Sequence, residues 1–163
     1  NVPARPRSRC THEAGPRRTN ATVADVASIV RRLPSADEYL ELRRSVGWKV
    51  PGADDAERAL DRSIASLCAV DDGRIVGTGR IVGDGAFYLF VVDLIVHAEH
   101  QRHGIGSRLL AGLEAEAAQL SATGTIALVA DLDAAPFYER QGYRRSASAL
   151  LTKALGPPPE TVR

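Results

Sequence analysis

Apolar positions change their spacing along the chain, and each change predicts a different kind of element. Between residues 35 and 65 they recur every three or four positions, which predicts two amphipathic helices, the first after Pro34 and the second over residues 53–65. Ser35 and Glu38 have the spacing of a capping box at the start of the first helix, and Gly47 is expected to end it.

The pattern then becomes typical of β-structure. Three β-rich runs follow one another, at residues 66–70, 74–82 and 87–98. The turns between them, Asp71-Asp72-Gly73 and Gly83-Asp84-Gly85, favour hairpins. The central part of the chain is therefore predicted to be an antiparallel meander.

The third run continues through a glycine turn into a long helix that ends before Gly124. Residues 125–130 are an apolar run of buried-strand length, residues 133–141 predict a short helix, and residues 143–155 predict a final strand or strand pair. Residues 21–33 fit either a helix face or a strand, and composition alone does not decide between them.

Length and composition favour one domain. The chain has 163 residues, 44% hydrophobic and 25% charged. Residues 1–20 hold five arginines and three prolines without apolar periodicity, as in a flexible arm or a segment foreign to the native chain. We assign residues 21–156 to the domain and residues 157–163 to a proline-rich tail.

Charge and cysteine content exclude several classes of protein. The formal net charge of +1 gives no basic footprint for nucleic acid. Neither an apolar run of membrane-spanning length nor a signal-peptide core is present, so we expect no membrane association and a cytoplasmic protein. Two cysteines are too few for a disulfide framework or a cysteine-rich zinc site.

The glycine turn at residues 101–106 carries the candidate chemistry. A strand that enters a helix through such a turn can hold a phosphate, because the first-turn N–H groups lack helical partners. The Rossmann pattern fails here because Leu109 replaces its third glycine, and no Gly-Lys-Ser/Thr of a P-loop occurs. Both common nucleotide-binding motifs are therefore disfavoured.

A different motif does match. Gln101-Arg102-His103-Gly104-Ile105-Gly106, after the apolar strand at residues 91–96, resembles motif A of the GNAT superfamily of acyl-CoA-dependent N-acyltransferases. The segment from Ala135 to Tyr143, with Phe137-Tyr138 and Gly142-Tyr143, is similar to the late helix of that family. Residues 42–48 and 77–85 also look like segments of its bacterial small-molecule members.

The resemblance implies a fold and an activity. The fold is an α/β GNAT domain with a mixed, mostly antiparallel sheet of six or seven strands flanked by about four helices, and residues 21–33 become a strand. The activity is transfer of acetyl from acetyl-CoA to a primary amine of a small molecule, with no metal; a homodimer is left open. The alternatives are a catalytically weak acyl-CoA-binding module, or acetylation of protein N-termini or lysines.

The resemblance also assigns residues. Backbone N–H groups of Gln101, Arg102, His103, Gly104, Ile105 and Gly106 would wrap the CoA pyrophosphate, and Ser107 would add a hydroxyl. Main-chain groups of a bulged strand at Leu94, Ile95 and Val96 would pair with pantetheine, and the Leu94 N–H would polarise the thioester carbonyl. Tyr138 would protonate the departing thiolate as the general acid.

The general base is open at this point. The position where some family members carry a glutamate holds Phe90. Asp93 is our catalytic candidate, with His97 and a water chain as alternatives; Asp93 pairing with an arginine is the structural alternative. His97, His100 and His103 span a strand end and a turn, so we treat them as loop residues and predict no metal site.

Overall fold

The computed structural model describes residues 27–147 of the chain. Five strands form one sheet in chain order: β1 (Ser28–Arg31), β2 (Ala65–Asp71), β3 (Arg74–Gly83), β4 (Tyr88–Val96) and β5 (Thr125–Leu128). Neighbouring strands are antiparallel except for β4 and β5, which are parallel. The chain crosses between these two through α3 (Ile105–Leu120), as a parallel pair requires.

Helices cover both faces of the sheet. On one face, α3 buries Leu109, Leu110 and Leu113 completely against the sheet. On the other, α1 (Ala36–Ser45) and α2 (Ala53–Asp61) form a smaller cluster with Ile95 of β4. The short helix α4 (Ala135–Arg140) follows β5. The mixed sheet and the four α-helices confirm the predicted GNAT-type α/β fold.

Local sequence rules account for the element boundaries that were predicted well. The Ser35 hydroxyl accepts from the Glu38 N–H, and the Glu38 carboxylate accepts from the Ser35 N–H, so the predicted capping box starts α1. Asp72 and Gly73 both have positive φ (44° and 75°), as a two-residue hairpin turn between β2 and β3 requires. A Cβ on Gly83 would lie 1.9 Å from the Tyr88 carbonyl oxygen, so only glycine fits there.

Other boundaries differ from the prediction. The second helix ends at Asp61 and not at residue 65, because the Ile64 N–H donates to the Ile81 carbonyl of β3 and has joined the sheet. The third β-run ends at Val96, and residues 98–100 form a turn of 3₁₀ helix. The elements predicted over 125–130 and 133–141 are two or more residues shorter than expected.

The strand count also differs, since the described residues form five strands and not six or seven. Of the final strand predicted over residues 143–155, residues 143–147 are not in a strand and the rest lie outside the described range. The strand reading of residues 21–33 is correct for Ser28–Arg31. The arm at 1–20, residues 21–26 and the tail at 157–163 also lie outside that range.

Within residues 27–147, no helix combines the length and the apolar composition that crossing a bilayer would need.

Candidate active site

Strand β4 changes register in its middle. Thr78 of β3 pairs with Ile95 and Arg80 pairs with Val92, so the single residue between them on β3 faces two residues on β4, Asp93 and Leu94. Asp93 has a φ of +50°, which is rare outside glycine. This is a β-bulge, one residue earlier than the stretch from Leu94 to Val96 where it was expected.

The bulge changes which side chains of β4 face each side of the sheet. Before it, Leu89 and Val91 face the α3 core; after it, Leu94 and Val96 pack against that core, while Ile95 joins the cluster under α1 and α2. One inserted residue has this effect because side chains alternate with a period of two. Ile95 is 2% exposed, so only its main chain is available to a ligand.

Just before the bulge, β4 and β5 part. Their last paired residues are Val91 and Leu128, after which β5 ends. The gap opens into a cavity of about 820 Å³ that is lined on one side by Asp93 and Leu94, and on the other by Asp131 and Tyr138. Trp48, from the loop after α1, also lines it. Two predicted catalytic residues, Asp93 and Tyr138, therefore share one cavity.

Asp93 is held by two arginines. Its Oδ2 accepts from Nε and Nη2 of Arg80 (2.9 and 2.5 Å), and its Oδ1 accepts from Nη1 of Arg43 (2.9 Å). The arginine side chains are 7% and 19% exposed and the Asp93 side chain is 12% exposed. The ion-pair alternative foreseen for Asp93 is thus present in the structure, with two arginines where one was expected.

Arg43 connects this ion pair to aromatic side chains. Its guanidinium carbon lies 5.4 Å from the Tyr39 ring centre and 5.3 Å from that of Trp48, within the range of cation–π attraction. Arg43 also donates to the Tyr39 hydroxyl (2.8 Å). These contacts connect Trp48, which lines the cavity, to α1.

Tyr138 lies on α4 between two cavities. Besides the one at the β4–β5 gap, it lines a second cavity of about 850 Å³ beside β5, which extends to Ser146 near the end of the described chain. Its ring packs edge-on against Phe137 and Tyr143. Burial raises the pKa of the Tyr138 phenol, and the negative charge of Asp131 raises it further. The phenol is therefore protonated at neutral pH, as a general acid must be.

The glycine turn leads to a helix start without a side-chain cap. Gly104 precedes α3 with a φ of +78°, no side chain caps its first turn, and that turn contains no acidic residue. Helices α1 and α2, in contrast, both carry acidic residues in the first turn. The positive end of the α3 dipole thus has no side-chain cap and no acidic residue in its first turn, an arrangement that attracts anions.

The side chains in and beside the turn differ in burial and in hydrogen bonding. Ile105 is buried in the α3 core, and Gln101 donates its amide N–H to the Val96 carbonyl (3.1 Å). Arg102 and His103 are exposed. The Ser107 hydroxyl accepts from Nε2 of Gln141 (3.3 Å), which ties the start of α3 to the end of α4. A Cβ added at Gly106 would lie 3.6 Å from the Phe137 ring.

The three turn histidines do not converge on one point. His97 Nδ1 accepts from the Glu99 N–H, and the His97 and His100 rings pack edge to face with their centres 5.7 Å apart. His97 lines neither of the two cavities above, which weakens it as a candidate base. Within residues 27–147, no three His, Cys, Asp or Glu residues are grouped as a metal ion would need.

Sequence reasoning missed Arg80 and Asp131. Arg80 is buried in β3 and its partner is 13 positions away, a separation that no local pattern signals. Asp131 had a recognisable signal, since it is the first charged residue after the apolar run of β5 and so lies where that strand opens onto the gap.

Comparison with known proteins places this geometry in a family. The family model described as the acetyltransferase (GNAT) family matches residues 33–143. The uncharacterized N-acetyltransferases ycf52 of Porphyra purpurea and Pyropia yezoensis are 31% and 30% identical to the chain over 110 residues, which are 65% of this chain. The chain spans 63% of the length of these curated relatives.

Solved structures have the same fold. A probable acetyltransferase from Staphylococcus aureus superposes with a TM-score of 0.72 at 23% identity, over 78% of this chain and 99% of the other. A GNAT family acetyltransferase from Streptococcus pneumoniae gives 0.68 at 26% identity, over 79% and 98%.

Proposed function

The chain belongs to the GNAT family of acetyltransferases, and we propose that it transfers the acetyl group of acetyl-CoA to a primary amine of a small molecule. The observation that carries this proposal is the cavity at the β4–β5 gap, because residues of the β4 bulge and Tyr138 both line it. The uncapped start of α3 supports it, because Ser107 and Gln141 tie that helix to α4, which carries Tyr138.

Acetyl-CoA would be held mainly by main-chain groups. The N–H groups of Gln101 to Gly106 would bind the pyrophosphate at the start of α3, and the Ser107 hydroxyl would donate to a phosphate oxygen while it accepts from Gln141. The main chain of Leu94 to Val96 would pair with pantetheine. The Val96 carbonyl already accepts a hydrogen bond from the Gln101 side chain.

The reaction would proceed by direct attack. The ammonium first loses a proton to water, the neutral nitrogen then forms a bond to the thioester carbonyl carbon, and the Leu94 N–H stabilises the resulting oxyanion. The C–S bond then breaks, the Tyr138 hydroxyl gives its proton to the leaving thiolate, and the nitrogen gives its proton to water. Tyr138 can serve in this step because a phenol, whose ordinary pKa is about 10, carries its proton at neutral pH.

The cavity lining carries both signs of charge, from Arg43, Lys49, Asp93 and Asp131, and one of its two carboxylates is suited to bind a cationic acceptor. Asp93 is neutralised by its arginines, whereas the Asp131 side chain has no ion pair or hydrogen bond within residues 27–147. An alkylammonium has a pKa of about 10.4 and therefore arrives charged. Asp131 would attract it, and exposed Trp48 would contact its apolar part.

The test combines binding with turnover. Calorimetry should detect acetyl-CoA binding, and CoA release should be seen with members of a panel of small amines, polyamines and peptides. Tyr138→Phe should lower kcat about 10²-fold or more with acetyl-CoA affinity nearly unchanged. Tyr88→Phe is the matched control, because Tyr88 is 65% exposed and lines neither cavity.

Two outcomes would contradict the proposal. Binding of acetyl-CoA without CoA release for any amine would favour the binding-module alternative, and turnover with peptides alone would exclude a small-molecule acceptor. An unchanged kcat for Tyr138→Phe would remove Tyr138 from the mechanism.

A further inference from the structure

Asp93 has an unfavourable backbone conformation in the middle of a strand. Its φ of +50° lies in the left-handed region, which is uncommon for any residue with a side chain, although aspartate tolerates it better than most. Such a conformation persists only where the surrounding contacts offset its cost. The structure must therefore hold the β4 bulge in place.

The Asp93 carboxylate makes those contacts. It accepts three hydrogen bonds from two guanidinium groups, at 2.5 to 2.9 Å, and all three side chains are less than one-fifth exposed. Charge-assisted bonds that are largely shielded from water are among the strongest polar contacts in a protein. We call this group of Asp93, Arg80 and Arg43 the bulge clamp.

The bulge clamp also reaches the helices on that face. Nη1 of Arg80 donates to the Ala59 carbonyl (2.8 Å) in α2 and to the Ser63 hydroxyl (2.9 Å) just after it. Nε of Arg43 donates to the Lys49 carbonyl (2.8 Å) in the loop that follows α1. The clamp thus joins the bulge to both helices and to the loop that carries Trp48.

We infer that Asp93 is a positioning residue and not the general base, and that the bulge clamp locks the bulged strand and the α1–α2 wall of the cavity into one unit. The role in acetyl transfer rests on the proposed function. Both carboxylate oxygens of Asp93 accept hydrogen bonds from guanidinium groups. Removing a proton from the substrate amine would therefore compete with an ion pair. The clamp carries two positive charges and one negative charge, and it lies beside the residue whose N–H would face the oxyanion.

Hydrogen exchange of the free protein tests the clamp independently of any activity. Asp93→Asn and Arg80→Gln should each increase amide exchange about fivefold or more both in residues 92–96 and at the end of α2, because either change releases both segments. The double variant should add little to the single ones, since the two residues act as a pair. Glu116→Gln, which removes the separate Arg31–Glu116 pair (3.2 Å), should leave these segments unchanged.

Unchanged exchange in either segment, or additive effects of the two substitutions, would overturn the clamp. Arg80→Lys serves as a second variant if Arg80→Gln does not fold, because lysine keeps the charge and loses the two-pronged contact. It should increase exchange in the same two segments, and unchanged exchange would count against the clamp here as well.

Kinetics then separate positioning from base catalysis. Asp93→Asn and Arg80→Gln should lower kcat by similar factors, about 10- to 100-fold, with the shape of the pH–rate profile retained. Loss of the rising limb of that profile in Asp93→Asn alone would make Asp93 the base. If the wild-type protein transfers acetyl to no amine, the proposed function fails, while the exchange experiment still decides whether the clamp exists.

Discussion

Gly104 and Gly73 have nearly the same positive φ at two unrelated places in the fold. Their φ angles are +78° and +75°, and an added Cβ would meet no atom within 4 Å at either position. Gly73 forms the turn between β2 and β3, whereas Gly104 immediately precedes α3. Alanine substitutions at these two positions can therefore distinguish the conformational cost of a side chain from its effect on ligand binding.

We predict that Gly104→Ala and Gly73→Ala reduce the free energy of unfolding by similar amounts, about 1 kcal/mol, because the left-handed conformation disfavours alanine equally at both. Only Gly104→Ala should weaken acetyl-CoA binding, by about tenfold or more, since its methyl group would lie in the turn that is proposed to hold the pyrophosphate. Denaturant titration and calorimetry measure the two effects. Equal acetyl-CoA affinity in both variants would place the pyrophosphate elsewhere.

Asp131 is predicted to select a charged acceptor. Asp131→Asn should raise KM for a cationic amine about tenfold with little change in acetyl-CoA affinity, because it removes the one unpaired carboxylate that lines the cavity within the described chain. The effect should shrink at high ionic strength. Asp133→Asn, two residues along the same loop and outside both cavities, should leave KM unchanged. Equal KM values for the two variants would remove Asp131 from acceptor binding.

The capping box of α1 predicts a dependence of stability on pH. Burial raises the pKa of Glu38, but hydrogen bonds from Arg32 and from the Ser35 N–H outweigh this effect, so the pKa is lowered below its ordinary value of 4.5. The stabilisation that the Glu38 carboxylate provides is therefore complete above that value and is lost as the pH falls through the lowered pKa.

Denaturant titrations between pH 7 and pH 3 should show a smaller loss of stability for Glu38→Gln than for the wild type. Ser35→Ala should cost about 1 kcal/mol at pH 7 through loss of the cap. A wild type and a Glu38→Gln variant with parallel pH dependence would contradict this assignment.

The Cys68 thiol is predicted to be unreactive in the native protein. Its side chain is fully buried, its Sγ donates to the Arg32 carbonyl (3.2 Å), and burial raises the pKa of its thiol. In a Cys10→Ser background, an aromatic disulfide reagent at pH 8 should therefore react only after denaturant is added. Rapid reaction of the folded protein would show that β2 opens locally. The prediction also bears on any assay that detects released CoA through its thiol.

Features set by neighbours in sequence were predictable. The capping box at Ser35 and Glu38, the Asp72–Gly73 turn and the glycine turn before α3 each depend on residues within a few positions of one another, so their physics is visible in the sequence. The resemblance to motif A then predicted the order of the strands and helices, because it implies the fold of the family in which that motif occurs.

Features set by distant partners were not predictable. Asp93 was foreseen as a base or as the partner of one arginine, but the partners come from 13 and 50 positions away, and a sequence pattern does not report such separations. The end of α2 was missed for the same reason, since the Ile64 N–H is taken by a carbonyl of β3. In both cases, hydrogen bonds to residues distant in sequence determine the local structure.

The exchange of faces at the β4 bulge constrains how this strand can evolve. Substitutions at Leu89 or Val91, before the bulge, and at Leu94 or Val96, after it, are independent events that each alter one contact with the α3 core. Deleting one residue at the bulge would instead restore strict alternation and turn the whole segment after it to the opposite face. Selection on this strand should therefore tolerate changes of residue far more readily than changes of length.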